Sequence, residues 1–517
     1  MTDLPATCEP TEFNKPTQSG RGLRDAVSGF ARELADHRWP VIGLFVLTVA
    51  VYFPVASFDF LNWDDTWYIV RNDLIKSWHP VNLYRIATEP VARNFAPLTI
   101  GTFLVEHTLW GMWPGGYHVT NLLLHGINAI LVFLLLRQLT SNDWVAWTAA
   151  ALFALHPVQV ETVAWVSSRK TLLSATFMLA SLICWLKTDR TSRDEGWGIL
   201  WLILALLSKA AAVVVPPIVV AYDVFIARKK PAESIPRQVV PMFLCVMLIL
   251  VTMSAQTTIV GGVRSHIGNS KLWIIAIDST LLWRYVAMLI WPVNLNVLYD
   301  PPTEGIALLI AASLISWGAI MGFAWKVRER FPWLAFGVAT WLLLLFPVLN
   351  FFPITTLMND RYLYLPCVPF FALAVGGASQ LLHKLRGRSA SASTALATIL
   401  STALLAVAAW STLGYLPVWK EPLLLWHHAR QETPSLTVVH IQWAITLESL
   451  GHTEQAQAAL ETALAETDPD EGDRRRIQEM MDRLAPSSTR GDSVGGTGKG
   501  EANFPFDSLT NIKTGKR

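Results

Sequence analysis

The segment "FDFLNWDDTWYIVRND" sets Asp64 and Asp65 side by side. Adjacent residues do not share a face in a helix or a strand. The pair therefore implies two roles, one carboxylate acting as a base while the other orients it or a substrate. The alternative is a helix N-terminus, where acidic residues are favourable. "ALHPVQVETVAWVSSRK" brings His156, Glu161, Arg169 and Lys170 to the end of an apolar run. Polar residues there either do chemistry or anchor the helix. "LSKAAAVVVPP" puts Lys209 between two short apolar runs. A cation in that position needs a partner or water, unless it only snorkels. In "NDRYLYLP" Asp360 and Arg361 follow a run ending "PVLNFFP", and the two could simply pair with each other. His118, Asn121 and His125 are spaced i, i+3, i+7 and share one helical face. Two histidines are weak evidence for a metal, so no metal ligands are assigned; a divalent ion is allowed but unsupported.

The combination says more than the parts. One carboxylate pair and four cations, Arg93, Arg169, Lys209 and Arg361, are expected on the same side of the apolar runs. A phosphate diester at a membrane surface needs such cations. Arginine grips phosphate oxygens through a planar fork, and lysine acts as a point charge. Displacing a sugar from a lipid phosphate also needs an activated acceptor hydroxyl, and a positioned carboxylate base commonly contributes about 10²–10⁴-fold. The leaving phosphate is a weak base, so its developing charge needs only fixed cations.

The elements that must hold these residues are membrane helices. Of 517 residues, 52% are hydrophobic and only 15% charged, with 23 Trp and 23 Phe; soluble domains carry about 25% charge. This excludes disorder, a coiled coil and a secreted disulfide scaffold. The net charge of +2 gives no electrostatic case for nucleic acid. Cys184, Cys245 and Cys367 lie in apolar runs, Cys8 does not, and no CxxC pair occurs, so neither disulfide nor metal is implied. A polar stretch of nearly forty residues precedes the first apolar run, so that run is expected to be retained as a helix.

Apolar runs near spanning length fall at roughly 40–57, 117–137, 144–156, 171–187, 197–208, 210–226, 239–257, 273–291, 306–325, 333–352, 362–382 and 394–416. Short basic loops stay cytoplasmic. Lys187, Arg190 and Arg193 precede 197–226, and Arg228, Lys229, Lys230 and Arg237 follow it. That stretch is therefore expected to cross twice, as a hairpin with Lys209 near its outer tip. Asp278 and Arg284 interrupt 273–291, as in an interfacial helix. Laying it on the outer surface keeps the basic loops 326–330 and 383–388 inside. The expectation is an all-α polytopic protein with eleven spans, the N-terminus in and the C-terminus out.

Four parts follow: a cytoplasmic segment 1–38, a membrane domain 39–418 with a first outer loop at 58–116, a helical segment 419–485, and a disordered tail 486–517 rich in Ser, Gly and Thr. In the third part, "HIQWAITLESLGHTEQAQAALETALAETDP" reads as two amphipathic helices with small residues at Ala444, Gly451, Ala456 and Ala463. This is similar to one tetratricopeptide repeat, a plain helical hairpin being the alternative. One or two repeats bury little core, so the segment is expected to dock on the membrane domain.

"FLNWDDTWYIVRND", "NFAPLT", "GYHVTNLLLHGINAILVF", "ALHPVQVETVAWVSSRK", "LLSKAAAVVVPP" and "NDRYLYLP" occur in an order that resembles the transmembrane-and-tetratricopeptide-repeat O-mannosyltransferases. The resemblance covers roughly residues 40–382. It implies a GT-C glycosyltransferase fold, a polyprenyl-phosphate-sugar donor, and inverting transfer on the outer face to a protein or glycan hydroxyl. It further implies catalytic Asp64 and Asp65, with Asp64 the base, and donor binding by Arg93, His156, Glu161, Arg169, Lys209, Arg361 and its neighbour Tyr362. The chain departs from the family in Ser168-Arg169-Lys170-Thr171 and in Ala210 after the lysine. Membrane lipid, the donor and the acceptor are the expected partners, with a protein partner for the repeat-like segment, in a bacterial inner membrane with that segment periplasmic. A membrane-anchored scaffold and a transporter are the competing readings. A scaffold has little reason to gather carboxylates and cations on one face, and a transporter places its charges near the midplane.

Overall fold

The computed structural model describes residues 34–92, 94–257, 271–350, 356–385 and 390–485. The expectations about Arg93, Cys8 and the rest of the N-terminal segment up to residue 33, the end of the basic loop 383–388 and the tail from 486 fall outside them. Apart from one isolated antiparallel bridge between Val91 and Asn94, the described secondary structure is helical.

Helix α1 (Arg38–Tyr52) runs through a 3-10 turn to Ser57 and enters the first loop. There a single turn of π-helix, Thr66–Val70, follows the acid pair directly. Helices α2 (Pro80–Thr88), α3 (Pro97–Trp110) and α4 (Pro114–Thr140) each begin with proline. Proline at the first helical position has its φ preset and loses only a donor that would be unpaired anyway. Gly111 ends α3 at φ 58°, in the left-handed region. Helix α4 has 27 residues, a length of about 40 Å at 1.5 Å per residue.

Helix α5 (Asp143–Leu155) is an alanine-rich, 13-residue helix buried on nearly every side. It packs against α1, α4, α14 (Cys367–Leu385) and α15 (Ala390–Tyr415). Its alanines let the neighbours approach closely. So does Gly126 on α4, where a Cβ would stand 2.7 Å from the Phe45 ring of α1. The loop after α5, including the one-turn helix α6 (Val160–Ala164), is buried throughout. Helices α7 (Arg169–Trp185) and α8 (Ser192–Ser208) form a hairpin. Thr191 and Asp194 close a reciprocal capping box at its turn.

Beyond the Lys209 turn come α9 (Val215–Phe225), α10 (Val239–Thr257), α11 (Lys271–Ile290), α12 (Ala307–Lys326) and α13 (Pro332–Leu345). Among the described residues six stretches are long and apolar enough to cross a membrane: Arg38–Ser57, Pro114–Thr140, Pro231–Thr252, Leu272–Ile290, Ala307–Lys326 and Ala395–Trp419. The molecule is thus an all-α, multi-pass membrane protein. Asp143–Leu155, Ala210–Phe225, Pro332–Val348 and Cys367–Leu382 are apolar but shorter. Those enclosed by protein need not match the bilayer, because the demand for internally paired backbone applies at a lipid-exposed surface. Leu272–Ile290 passes on length, whereas its sequence suggests an interfacial helix. Asp278, one basis for that expectation, is buried and accepts from Asn350 N at 2.9 Å and Asn350 Nδ2 at 2.6 Å.

The C-terminal helices are α16 (Pro422–Glu432), α17 (Thr437–Ser449), α18 (Thr453–Glu466) and α19 (Glu471–Leu484). Ala444, Ala456 and Ala463 are buried, and Gly451 turns the chain between α17 and α18 at φ 83°. The segment docks as expected. Asn296 Nδ2 donates to Thr433 Oγ1 at 3.1 Å, and the His428 ring meets Leu295 O at 2.8 Å. Asp59 N donates to Lys420 O at 2.9 Å.

Candidate functional site

The first loop is tied down by Asp65. Its buried carboxylate accepts from Leu61 N and from Ser167 N, each at 2.9 Å, and from the Ser167 hydroxyl. Burial raises its pKa to about 6 despite these donors. Asp65 thereby joins the first loop to the loop after α5 and leaves Asp64 free. A third of the Asp64 side chain is exposed, and its Oδ2 lies 3.5 Å from Lys170 Nζ.

Lys170 opens a file of cations. Its ammonium stands over the Tyr68 ring, 4.7 Å from the centroid, and donates to Tyr68 Oη at 3.3 Å. The next residue, Thr171, accepts from Lys209 Nζ at 3.0 Å. Arg361 holds Glu161 at two points: its guanidinium pairs with Oε1, and its backbone N donates to Oε2 at 2.8 Å. That guanidinium also lies 5.2 Å from the Trp165 ring centroid and 5.3 Å from that of Tyr362. Tyr362 Oη is 2.9 Å from Thr356 Oγ1. Asp360 does not pair with Arg361; its buried carboxyl takes the Tyr299 hydroxyl and, at 3.4 Å, Tyr415 Oη.

Lys170, Lys209 and Arg361 face two acids, Asp64 and Glu161, and Glu161 is already engaged by Arg361. Among the described residues Lys209 donates to a neutral hydroxyl, that of Thr171. Burial, with Lys170 and Arg361 close by, pushes its pKa down to about 7, against the pull of Glu161. The Glu161 carboxylate holds Arg361 above its ordinary value, against burial. The cluster is open to solvent through Asp64, and its least compensated member is Lys209. It can receive an anion.

Two residues expected here face elsewhere. Arg169 is fully buried, donating to Asn121 Oδ1 at 2.5 Å, Glu106 Oε2 at 2.8 Å and Tyr117 O at 2.8 Å. Successive helical side chains point about 100° apart; Lys170, the next residue, turns to Asp64 instead. His156 caps the turn after α5, its Nδ1 accepting from Val158 N at 3.3 Å. The candidate metal face is also in structural use. His118 reaches Asp59 O at 3.3 Å, Asn121 donates to Val163 O and Trp165 O, and His125 bridges Tyr364 Oη and Ala154 O. Among the described residues no three His, Cys, Asp or Glu side chains gather as metal ligands do. The sequence reading missed Glu106, a lone acid in the apolar run "PLTIGTFLVEHTLW". Its isolation was the available signal, since such an acid needs a buried partner.

With this geometry in view, curated relatives can be compared. A protein O-mannosyl-transferase of Caenorhabditis elegans, F38B6.6, is 24% identical over 489 residues, covering 87% of this chain and 64% of its own length. The mouse protein O-mannosyl-transferase TMTC3 is 24% identical over 401 residues, 68% of this chain and 44% of its own. Human TMTC4 is 33% identical over 168 residues, 28% of this chain and 23% of its own. The chain resembles the TMTC protein O-mannosyl-transferases. It spans less than two thirds of the length of these relatives. No protein-family model matches it. A crystal structure of ArnT from Cupriavidus metallidurans bound to undecaprenyl phosphate superposes with a TM-score of 0.33 at 14% identity. That match covers 87% of this chain and 77% of ArnT, an overlap too slight to carry a conclusion.

Proposed function

We propose that the protein is a membrane glycosyltransferase of the GT-C type that moves a sugar, mannose by its resemblance, from a polyprenyl-phosphate donor to a protein or glycan hydroxyl. The observation that carries this reading is the contact of the part-exposed Asp64 with Lys170, whose neighbour Thr171 takes Lys209, with Arg361 close enough to feel the charges of Asp64 and Lys209. A phosphodiester brings one negative charge, which these cations can meet. Lys209 and Lys170 act on the phosphate as point charges, and Arg361, held by Glu161 and the Asn359 amide between the rings of Trp165 and Tyr362, adds its fixed charge.

Asp64 takes the proton of the acceptor hydroxyl. The acceptor oxygen bonds to the sugar's anomeric carbon, the bond from that carbon to the phosphate oxygen breaks, and the pair of electrons leaves with the polyprenyl phosphate. The configuration inverts. The growing charge on the leaving phosphate is met by the same cations, which need no rearrangement. Asp65 holds the loop and takes no part in proton transfer.

The domain boundaries suggested by the sequence belong to this proposal, with 419–485 as a repeat-like segment. So does an orientation in a bacterial inner membrane, with the acid pair, the Lys209 turn and the C-terminal helices on the periplasmic side. Contacts of α11 support laying it on that surface. Trp273 near its start donates to Thr303 O at 3.0 Å, and Leu289 near its end meets His156. Both partners lie in loops of the same side.

The test is full-length protein in proteoliposomes, given a panel of radiolabelled polyprenyl-phosphate sugars with and without chelator. Transfer from one donor is expected, and Asp64→Asn should lower it by about 10²–10⁴-fold. No transfer from any donor by folded protein would overturn the proposal.

A further inference from the structure

The residues just before Asp64 are held by the far end of the chain. Asn62 spends its whole amide on the C-terminal helices. Trp426 Nε1 of α16 donates to its Oδ1 at 2.6 Å, and its Nδ2 donates to Thr446 Oγ1 of α17 at 2.8 Å. An indole N–H only donates, so the amide orientation is fixed. Thr446 passes its own proton on to Gln442 O at 2.8 Å, which frees its oxygen to accept from Asn62. The chain of donors therefore runs one way and is complete. Trp63 meets the fully buried Trp426 ring edge-on, with centroids 5.3 Å apart.

We propose that α16 and α17 are the positioning element of the catalytic loop, with Asn62 and Trp426 as positioning residues that set where the Asp64 carboxylate stands. This rests on the reading of Asp64 as the base. Leu61, Asn62 and Trp63 belong to no helix, whereas Asp64 and Asp65 open the short helical stretch that continues through Thr66–Val70; where that stretch starts is set by the tie points of the residues before it. Downstream there is Asp65, bound to Ser167. Upstream, Asp59 and Phe60 are held by Lys420 and by His118 and Tyr117 of α4, and the two residues next to Asp64, Asn62 and Trp63, are tied to α16 and α17. Those helices are themselves fixed to the loop before α12 through Thr433 and His428. The C-terminal segment is on this account part of the active-site frame. A displacement of about 1 Å costs a positioned group roughly 10²-fold in rate.

The test compares wild type, Trp426→Phe, Asn62→Ala and the double variant, full-length in proteoliposomes, with polyprenyl-phosphate mannose as donor. Trp426→Phe keeps the buried ring and removes only the N–H. Each single variant should lower kcat about 10–100-fold with donor KM within about twofold. The double variant should be no worse than the worse single one, because both remove one interaction. Deuterium uptake at 59–66 should rise in all three while α4 and α7 keep wild-type protection. Wild-type kcat in either single variant, equal losses through KM, or unchanged exchange at 59–66 overturns the proposal. Full activity of Asp64→Asn removes the base assignment instead, and the exchange data still decide whether α16 and α17 hold the loop.

Discussion

Asp65 keeps its carboxylate buried under three hydrogen bonds, while Asp64 keeps a third of its side chain in water. Their amides should therefore fail differently. Asp65→Asn turns an N–H₂ toward the amide of Leu61 or Ser167, leaving donors face to face at a cost of about 1–3 kcal/mol; its melting temperature should fall. Asp64→Asn should melt like wild type and lose only turnover. Equal melting of the two variants would sink this division of labour. Lys209 gives a pH dependence. Its pKa is held near 7 by burial and two neighbouring cations, and a bound phosphate favours the charged form. Donor binding then takes up a proton, so donor KM should climb as pH rises from 7 to 9. Lys209→Arg, charged throughout, should flatten that climb. A level wild-type KM across this range refutes the assignment of Lys209 to the phosphate. The sequence displayed these residue types, and the motif Ser-Arg-Lys-Thr held the cation that lies beside Asp64. It could not say which of Arg169 and Lys170 turns inward, because that depends on Glu106 and Asn121, which lie about fifty or more positions away in the chain.

At the scale of elements, that one-residue phase becomes a stability contrast. Arg169 pins α7 to α3 and α4 through Glu106, Tyr117 and Asn121. Removing one partner of a buried pair costs about 3–5 kcal/mol. Arg169→Ala should therefore lower the yield of folded protein sharply. Lys170→Ala should fold and show a raised donor KM. Comparable yields of the two, by size-exclusion chromatography in detergent, would contradict the phase read from the structure. Hydropathy found the long helices well, because lipid imposes its thickness on them. It found α5 too, as the run 144–156, but gave no sign that this helix and the loop 156–168 lie inside protein. Those apolar residues face protein on all sides, and the loop's backbone is paired by Asn121 and Asp65 from other elements. A window along the chain contains no trace of partners that fold alone brings near.

For the whole molecule, the sidedness of the loops follows from which of them touch. Glu161 with Arg361, Lys209 with Thr171 and Asn62 with Thr446 put the site loops and the C-terminal helices on one face. Arg228 with Glu329 puts two basic loops together at another place, where the charge bias of the sequence wants the cytoplasm. The sequence anticipated this partition from charge alone, but the docking of α16 and α17 on the first loop had no signal in it, since Asn62 and Trp426 are ordinary residue types. The disputed element is α11, long enough to cross yet touching loops of the site's face near both ends. In a background with its cysteines replaced, Glu329→Cys should react with an impermeant maleimide only from the cytoplasmic side, and Asp300→Cys only from the periplasmic side. Leu272→Cys, on a residue 79% exposed at the start of α11, decides the rest. If α11 lies along the surface it labels with Asp300→Cys. Labelling together with Glu329→Cys would mean that α11 crosses.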